Sequence, residues 1–395
     1  MRTHRLLALL AVPLVAVAAT LVTAGSGATT ENLPVPALLG PDRVAGADDV
    51  PWDRVGDGWY LVAVDQGPRA GGGWIRPRQQ LVQLVNPRGG RYTMWTTTVR
   101  HGRGLVRLVD WSADARVALL TSEIDMRHLR AIAVDLRSGE RHEVVLPTSV
   151  SAVALRPDGG GVLATTYGDE NPDSRELLAV DWSGAQRVVF RGLGANVVLS
   201  PDGSTAVTGP TTAQGSALRV IDTASGSVTG EIATPAGCDP YRWWAADVVA
   251  ARCWGERQSL QVWTFPLDGS PAAQLSTFHG RASEDLGDLD ARVLGGETYL
   301  QASGSCGYVF LARQERDGSA TTVDVPAAVG SVHLVDATDD ALVLQHGAAC
   351  ADGATRSMLS HFDPATGVER SMARLPRHQE IARVLVFGER PVLGW

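Results

Sequence analysis

From about residue 48 onward, short apolar runs alternate with short polar corners, and no stretch holds apolar residues at a sustained 3.6-residue period. Two corners are nearly the same: "VALRPDGGGVL" at 153–163 and "VVLSPDGSTAV" at 197–207. In each, Pro presets φ at the first turn position, Asp can accept from the backbone ahead, and Gly tolerates positive φ. Looser copies occur at 53–64 (Asp57-Gly58), 109–120 (Asp114), 241–251 (Asp247), 291–301 (Gly295-Gly296) and 333–344 (Asp339-Asp340). A second corner interleaves with the first: "NPRGGR" (86–91), "DLRSGE" (135–140), "DWSGAQ" (181–186), "DTASGS" (222–227), "PLDGSP" (266–271), "RDGSA" (316–320) and "DPATGV" (363–368). Short polar corners between β-rich runs mark hairpins.

The unit is therefore strand–corner–strand–loop–strand–corner–strand. It recurs seven times with a period of roughly 42–57 residues, the range of a four-stranded propeller blade. One blade has too little core to stand alone, so the ring must close. The expected fold is all-β: a single seven-bladed β-propeller of four-stranded antiparallel blades over 48–395. The tail "IARVLVFGERPVLGW" (381–395) reads as one more opening strand, corner and second strand. It is expected to pair with the N-terminal blade near 48–64 and clasp the ring.

The "SPDG"-type corner, followed by a β-run and a D-x-x-(S/T)-G corner, resembles the PD40/WD40-like propeller repeats of the TolB type, a bacterial, exported family. The resemblance covers about 48–395 and is sharpest at 153–163 and 197–207. The Gly-His and Trp-Asp pairs of true WD40 blades are absent, as is a separate N-terminal α/β domain, so TolB's periplasmic partner role does not carry over. The resemblance implies the fold and little about activity.

Composition narrows the partners. The net charge is −8, and all 35 basic residues are Arg, because the chain has no Lys. An acidic chain without basic runs is a poor nucleic-acid or anionic-membrane binder. Lysine chemistry is excluded outright. At the N-terminus, Arg2 and Arg5 precede the uncharged residues 6–24, with small residues at 22–24 and 26–28. Residues 1–28 read as a signal peptide or an uncleaved membrane anchor, and 29–47 as a linker. Either way the body is secreted or extracytoplasmic, and membrane contact is expected only through an anchor at 6–24. Four Cys follow: Cys238, Cys253, Cys306 and Cys350. An even count in an exported chain suggests two disulfides, with 238–253 and 306–350 the favoured pairing.

Strand direction separates two faces. The first and third connections of every blade share one face, and the second connection and the interblade link share the other. The long, irregular links share that second face, where binding usually resides. They bring Arg69, Trp74, Arg76, Arg100, His101, Arg103, Trp254, Arg257, His279 and Arg281, an Arg/Trp/His-rich set suited to an anionic, sugar or peptide ligand. Trp243, Trp244 and Trp263 fall inside strand runs and read as core. "DENPD" (169–173) lacks calcium-loop spacing and reads as a solvated loop, so no metal or cofactor is expected. The chain contains no G-x-S-x-G elbow, H-E-x-x-H pair, Rossmann fingerprint, P-loop or full Asp-box. The repeats run to residue 395, so the hydrolase domain of a prolyl-oligopeptidase arrangement is not expected.

The leading expectation is an exported, non-catalytic propeller binding a protein, peptide or envelope glycan through its long-loop face. A propeller-type glycan hydrolase or lyase is the alternative, using channel-mouth carboxylates such as Asp169, Glu170, Glu284 and Asp285. A structural part of an envelope assembly is the third.

Overall fold

The computed structural model describes residues 38–395 except 68–78, 100–104, 125–127, 169–173, 211–214, 236, 256–258, 279–286, 305–306, 348–356, 378 and 395. Seven sheets, each with a four-stranded antiparallel meander, follow one another in a ring, and two short 3-10 turns, Ala47–Asp49 and Trp52–Arg54, precede the first of the blades. From the channel outward, blade 2 is Val106–Trp111, Val117–Glu123, Leu129–Asp135 and Arg141–Val145. Blades 3 to 7 repeat this order, with innermost strands Val150–Leu155, Val197–Leu199, Cys238–Ala245, Asp288–Leu294 and Ser331–Ala337.

Blade 1 takes its innermost strand from the far end of the chain. Gln379–Val386 pairs antiparallel with Tyr60–Gln66, which continues to Gln79–Val85 and Arg91–Thr98. The expected clasp is present. The corner at Asp57-Gly58 is preceded by a 3-10 turn, because the opening strand of that blade comes from the C-terminal segment. The expected linker 29–47 also contributes: Val44–Gly46 adds a parallel fifth strand outside Arg91–Thr98.

The apolar runs are continuous because both faces of each sheet are buried. In the run Tyr60–Val64, Tyr60, Val62 and Val64 pack on Val343 and Leu359 of blade 7, while Leu61 and Ala63 pack on Leu108 and Leu120 of blade 2. Leu177 and Ala179 likewise face blade 4 while Leu178 and Val180 face blade 2. Seven such cores lie between the seven neighbouring pairs of blades. Period-2 alternation thus sorts side chains between two cores rather than between core and water. Trp243 is core as expected, and its indole N–H donates to the Ala246 carbonyl at 3.0 Å.

The Cys238–Cys253 disulfide is formed. Cys238 opens the innermost strand of blade 5 rather than lying in the interblade link, and faces Cys253 directly across the hairpin. Cys306 and Cys350 lie outside the described residues. Replacing both Cys238 and Cys253 by Ala is expected to lower the unfolding free energy by roughly 3 kcal/mol, the chain-entropy value for a loop of about 15 residues. Guanidinium titration of parent and variant measures it, and equal midpoints would show that the hairpin needs no staple.

Candidate functional site

All the described opening corners lie on one face, and in several an Asp carboxylate accepts from the corner itself. In the corner after Val197–Leu199, the Ser200 hydroxyl donates to Asp202 at 2.5 Å, and Asp202 also accepts from the Ser204 N–H at 3.0 Å. The Ser200 hydroxyl bond is the main reason the Asp202 carboxyl titrates below its ordinary value. Gly203 takes φ +74°, which closes the turn without strain. This corner is a self-contained connector.

The tail departs from expectation and creates the site. After Val386 the chain turns, with the Glu389 N–H donating to the Val386 carbonyl at 3.2 Å. It does not return along blade 1. It enters the central channel from the corner face and runs antiparallel to the innermost strand of blade 4, with Val392 opposite Val198 and Leu393 opposite Val197. That strand's inner edge is unoccupied by its own meander, so its backbone groups accept a guest strand. Gly394 lets the tail sit close, because a Cβ there would displace the Asn196 side chain and press on the Ala195 carbonyl.

Charged side chains anchor the turn. Glu389 takes both arms of Arg292, at 2.6 and 3.3 Å, and Arg292 also donates to the Val335 carbonyl. Burial acts to lower the Arg292 pKa, but Glu389 and Asp290 more than reverse it, so its charge is secure. Arg390 donates to the Leu155 carbonyl at 2.5 Å and pairs with Asp110 at 3.0 Å. Asp110 is fully buried and also accepts from the N–H groups of Trp111 (2.8 Å) and Leu155 (2.7 Å). Asp110 and Asp290 each sit at a β-bulge in an innermost strand, where the extra residue re-aims a side chain. Asp290 pairs with Arg242 at 3.1 Å, and Arg242 also donates to the Ala291 carbonyl at 2.7 Å. Phe387 packs edge-on against Trp111, with ring centroids 5.4 Å apart.

The tail lines two channel cavities. One, of about 510 Å³, lies against blades 1 to 3. The other, of about 690 Å³, lies against blades 5, 6, 7 and 1, with Arg242, Arg252, Arg292, His333, Arg383 and Glu389 in its wall. Arg383, midway along Gln379–Val386, borders both. Innermost strands run from the long-link face to the corner face, and the tail enters at the corner end.

Of the ten surface residues expected to bind, only Trp254 is among the described residues. It ends the second strand of blade 5 on the long-link face, beside the disulfide, and is 55% exposed. Arg69, Trp74, Arg76, Arg100, His101, Arg103, Arg257, His279 and Arg281 lie outside the described residues. So do Asp169, Glu170, Glu284, Asp285 and the 169–173 loop. The lumen arginines were missed, although a signal exists: Arg242, Arg292 and Arg383 stand inside opening-strand runs ("YRWWA", "ARVL", "IARVLVF"), and opening strands line the channel.

One cluster imitates a hydrolase triad. In blade 7, His346 contacts both Ser360 (3.1 Å) and Glu369 (2.6 Å), and the Ser360 hydroxyl donates to Glu369 at 2.6 Å. Both contacts use the same imidazole nitrogen, Nε2, whereas a relay needs the two nitrogens in different roles. Ser360 is fully buried, so no substrate reaches it. The cluster is a structural network.

No family model matches the chain, and no curated protein matches it. Solved structures do. A prolyl endopeptidase is similar over 82% of this chain at 13% identity and a TM-score of 0.53, and the chain spans half the length of that peptidase. TolB from Acinetobacter baumannii is similar over 90% of this chain and 88% of its own (12% identity, TM-score 0.39). An oligogalacturonate lyase in complex with manganese is similar over 81% of this chain and 86% of its own (14% identity, TM-score 0.45). At such identities the likeness concerns the propeller fold alone.

Proposed function

We propose that this chain is an exported propeller that binds an anionic envelope glycan through its long-loop face and does no chemistry on it. The observation that carries this reading is the state of the channel charges. The carboxylates that meet the tail or the larger cavity, Asp110, Asp290 and Glu389, are each locked to an arginine, and Asp65 in the smaller cavity is held by Gln80. What the channel wall offers in excess is guanidinium, which grips carboxylates in a planar, bidentate manner. Trp254 adds an exposed aromatic face at the rim, suited to stacking on a sugar ring. The cross-strand disulfide supports an oxidising compartment.

The test is a panel of acidic and neutral polysaccharides presented to the full chain, with binding and the release of new chain ends read in parallel. Expected are binding to acidic polymers that weakens as salt rises, and intact polymer afterwards. Trp254→Ala should weaken that binding by roughly tenfold, equivalent to about 1.4 kcal/mol. Release of reducing ends or unsaturated products would favour the hydrolase or lyase alternative. Equal affinity for neutral polymers, or none for acidic ones, would end the glycan reading.

A further inference from the structure

We propose that the larger channel cavity is a subsite for a single carboxylate of the ligand, held by Arg383. The inference rests on the glycan-binding reading and adds to it the anchoring residue and the chemical group it takes.

The first observation is local charge. In a chain of net charge −8, the described residues that border this cavity include five arginines and two carboxylates, Asp290 and Glu389. The second is how those arginines are used. Arg242 is tied to Asp290, Arg292 to Glu389, and Arg390 to Asp110. Arg252 donates from Nε to the Leu289 carbonyl at 2.7 Å and lies over the Tyr241 ring, 4.6 Å from its centroid. Arg383 differs from all of them. Its side chain stays accessible inside the lumen, and among the described residues it has no carboxylate or carbonyl partner. The surrounding protein lowers its pKa, and no neighbouring anion offsets that effect.

An accessible lumen guanidinium without a counter-charge is free to take an anion from solution. A ligand carboxylate entering the lumen would supply the missing charge in the fork geometry that Arg matches best. Size agrees: about 690 Å³ lies within the range of small-molecule pockets and holds one acidic sugar unit, not a folded partner. Ala382, beside Arg383, is also exposed to the lumen and leaves room there.

The experiment is arginine footprinting of the full chain with phenylglyoxal, read by peptide mass spectrometry, with D-glucuronate and D-glucose as probes. The two sugars differ only in carboxylate against hydroxymethyl. Glucuronate is expected to slow labelling of Arg383 at least fivefold, and glucose to leave it unchanged. Arg383→Gln should weaken glucuronate binding at least tenfold, while Arg316→Gln, in an exposed corner on the opposite face, should not change it. The thermal midpoint of Arg383→Gln should match that of the parent, since the exposed side chain has no carboxylate or carbonyl partner to lose among the described residues. Unprotected Arg383, unchanged glucuronate affinity in Arg383→Gln, or a clear fall in its midpoint would each overturn the subsite. Acidic polymers that bind without protecting Arg383 would sink the subsite and leave the face reading intact. Protection by glucuronate with no polymer binding would do the reverse.

Discussion

Replacing Arg390 by Ala is expected to lower the unfolding free energy by about 3–5 kcal/mol at pH 8, and by far less at pH 4. The substitution leaves Asp110 fully buried without its cation. Burial raises the Asp110 pKa from 3.8 to about 6, even though Arg390 and the Leu155 and Trp111 N–H groups act to lower it. The sign follows from linkage. A carboxyl whose folded pKa exceeds its unfolded value binds a proton more readily in the native state. In the parent, its contribution is therefore fullest below about pH 4, falls between pH 4 and 6, and is level above. Without Arg390 the folded pKa climbs further, so the variant's loss keeps growing beyond pH 6. At pH 4 both proteins hold a neutral Asp110, and they should nearly coincide. The double variant Asp110→Asn, Arg390→Met should recover most of the loss, because no charge is then stranded. Denaturant titrations of all three proteins from pH 4 to 8 provide the measurement. A deficit that does not vary with pH would show that the tail is held by packing of Phe387 and Leu393 instead.

Replacing Glu369 by Ala should cost a similar amount near neutral pH, about 3–5 kcal/mol. It strands Ser360, His346 and the Ala327 N–H, which donates to Glu369 at 2.8 Å. Here the pH dependence of the parent has the opposite sign. Burial acts to raise the Glu369 pKa, but the bonds from His346, Ser360 and Ala327 outweigh it and hold the value below 4.5. That stability is present above pH 4.5 and is lost as pH falls through the lowered folded value, so parent and variant converge in acid. The same network makes a chemical prediction. A serine-directed fluorophosphonate should not label Ser360 in the native protein, and labelling at a hydrolase-like rate would mean that the cluster opens to a substrate.

Both networks bear on the choice between binding and catalysis. Buried acids and bases attract notice as catalytic candidates, yet each of these serves to close the ring or to seat the tail. Glu389 and Arg390 join the tail to blades 6, 2 and 3, so the segment that completes blade 1 also fills part of the channel. Arg383 lines the volume left over.

What the sequence determined by itself is the wheel and its two faces. The corners are local devices: Asp202 and Gly203 close a turn with partners two residues away, so their chemistry is written in adjacent letters. The continuous apolar runs had only one explanation in a chain of repeats, burial on both sides, and that requires neighbours on both sides. The disulfide partner of Cys238 was legible for a similar reason, since a hairpin brings positions 238 and 253 together. The route of the tail was not legible. "PVLGW" reads as a second strand after a corner, and nothing nearby says that it will cross the channel to Val197 and Val198. Its bonds join residues 97 and 235 positions apart. The lumen is equally non-local, since Arg242, Arg292, His333 and Arg383 come from four different blades. Only closing the ring sets these residues around one cavity, because each innermost strand supplies a few inward side chains and none specifies what will stand opposite.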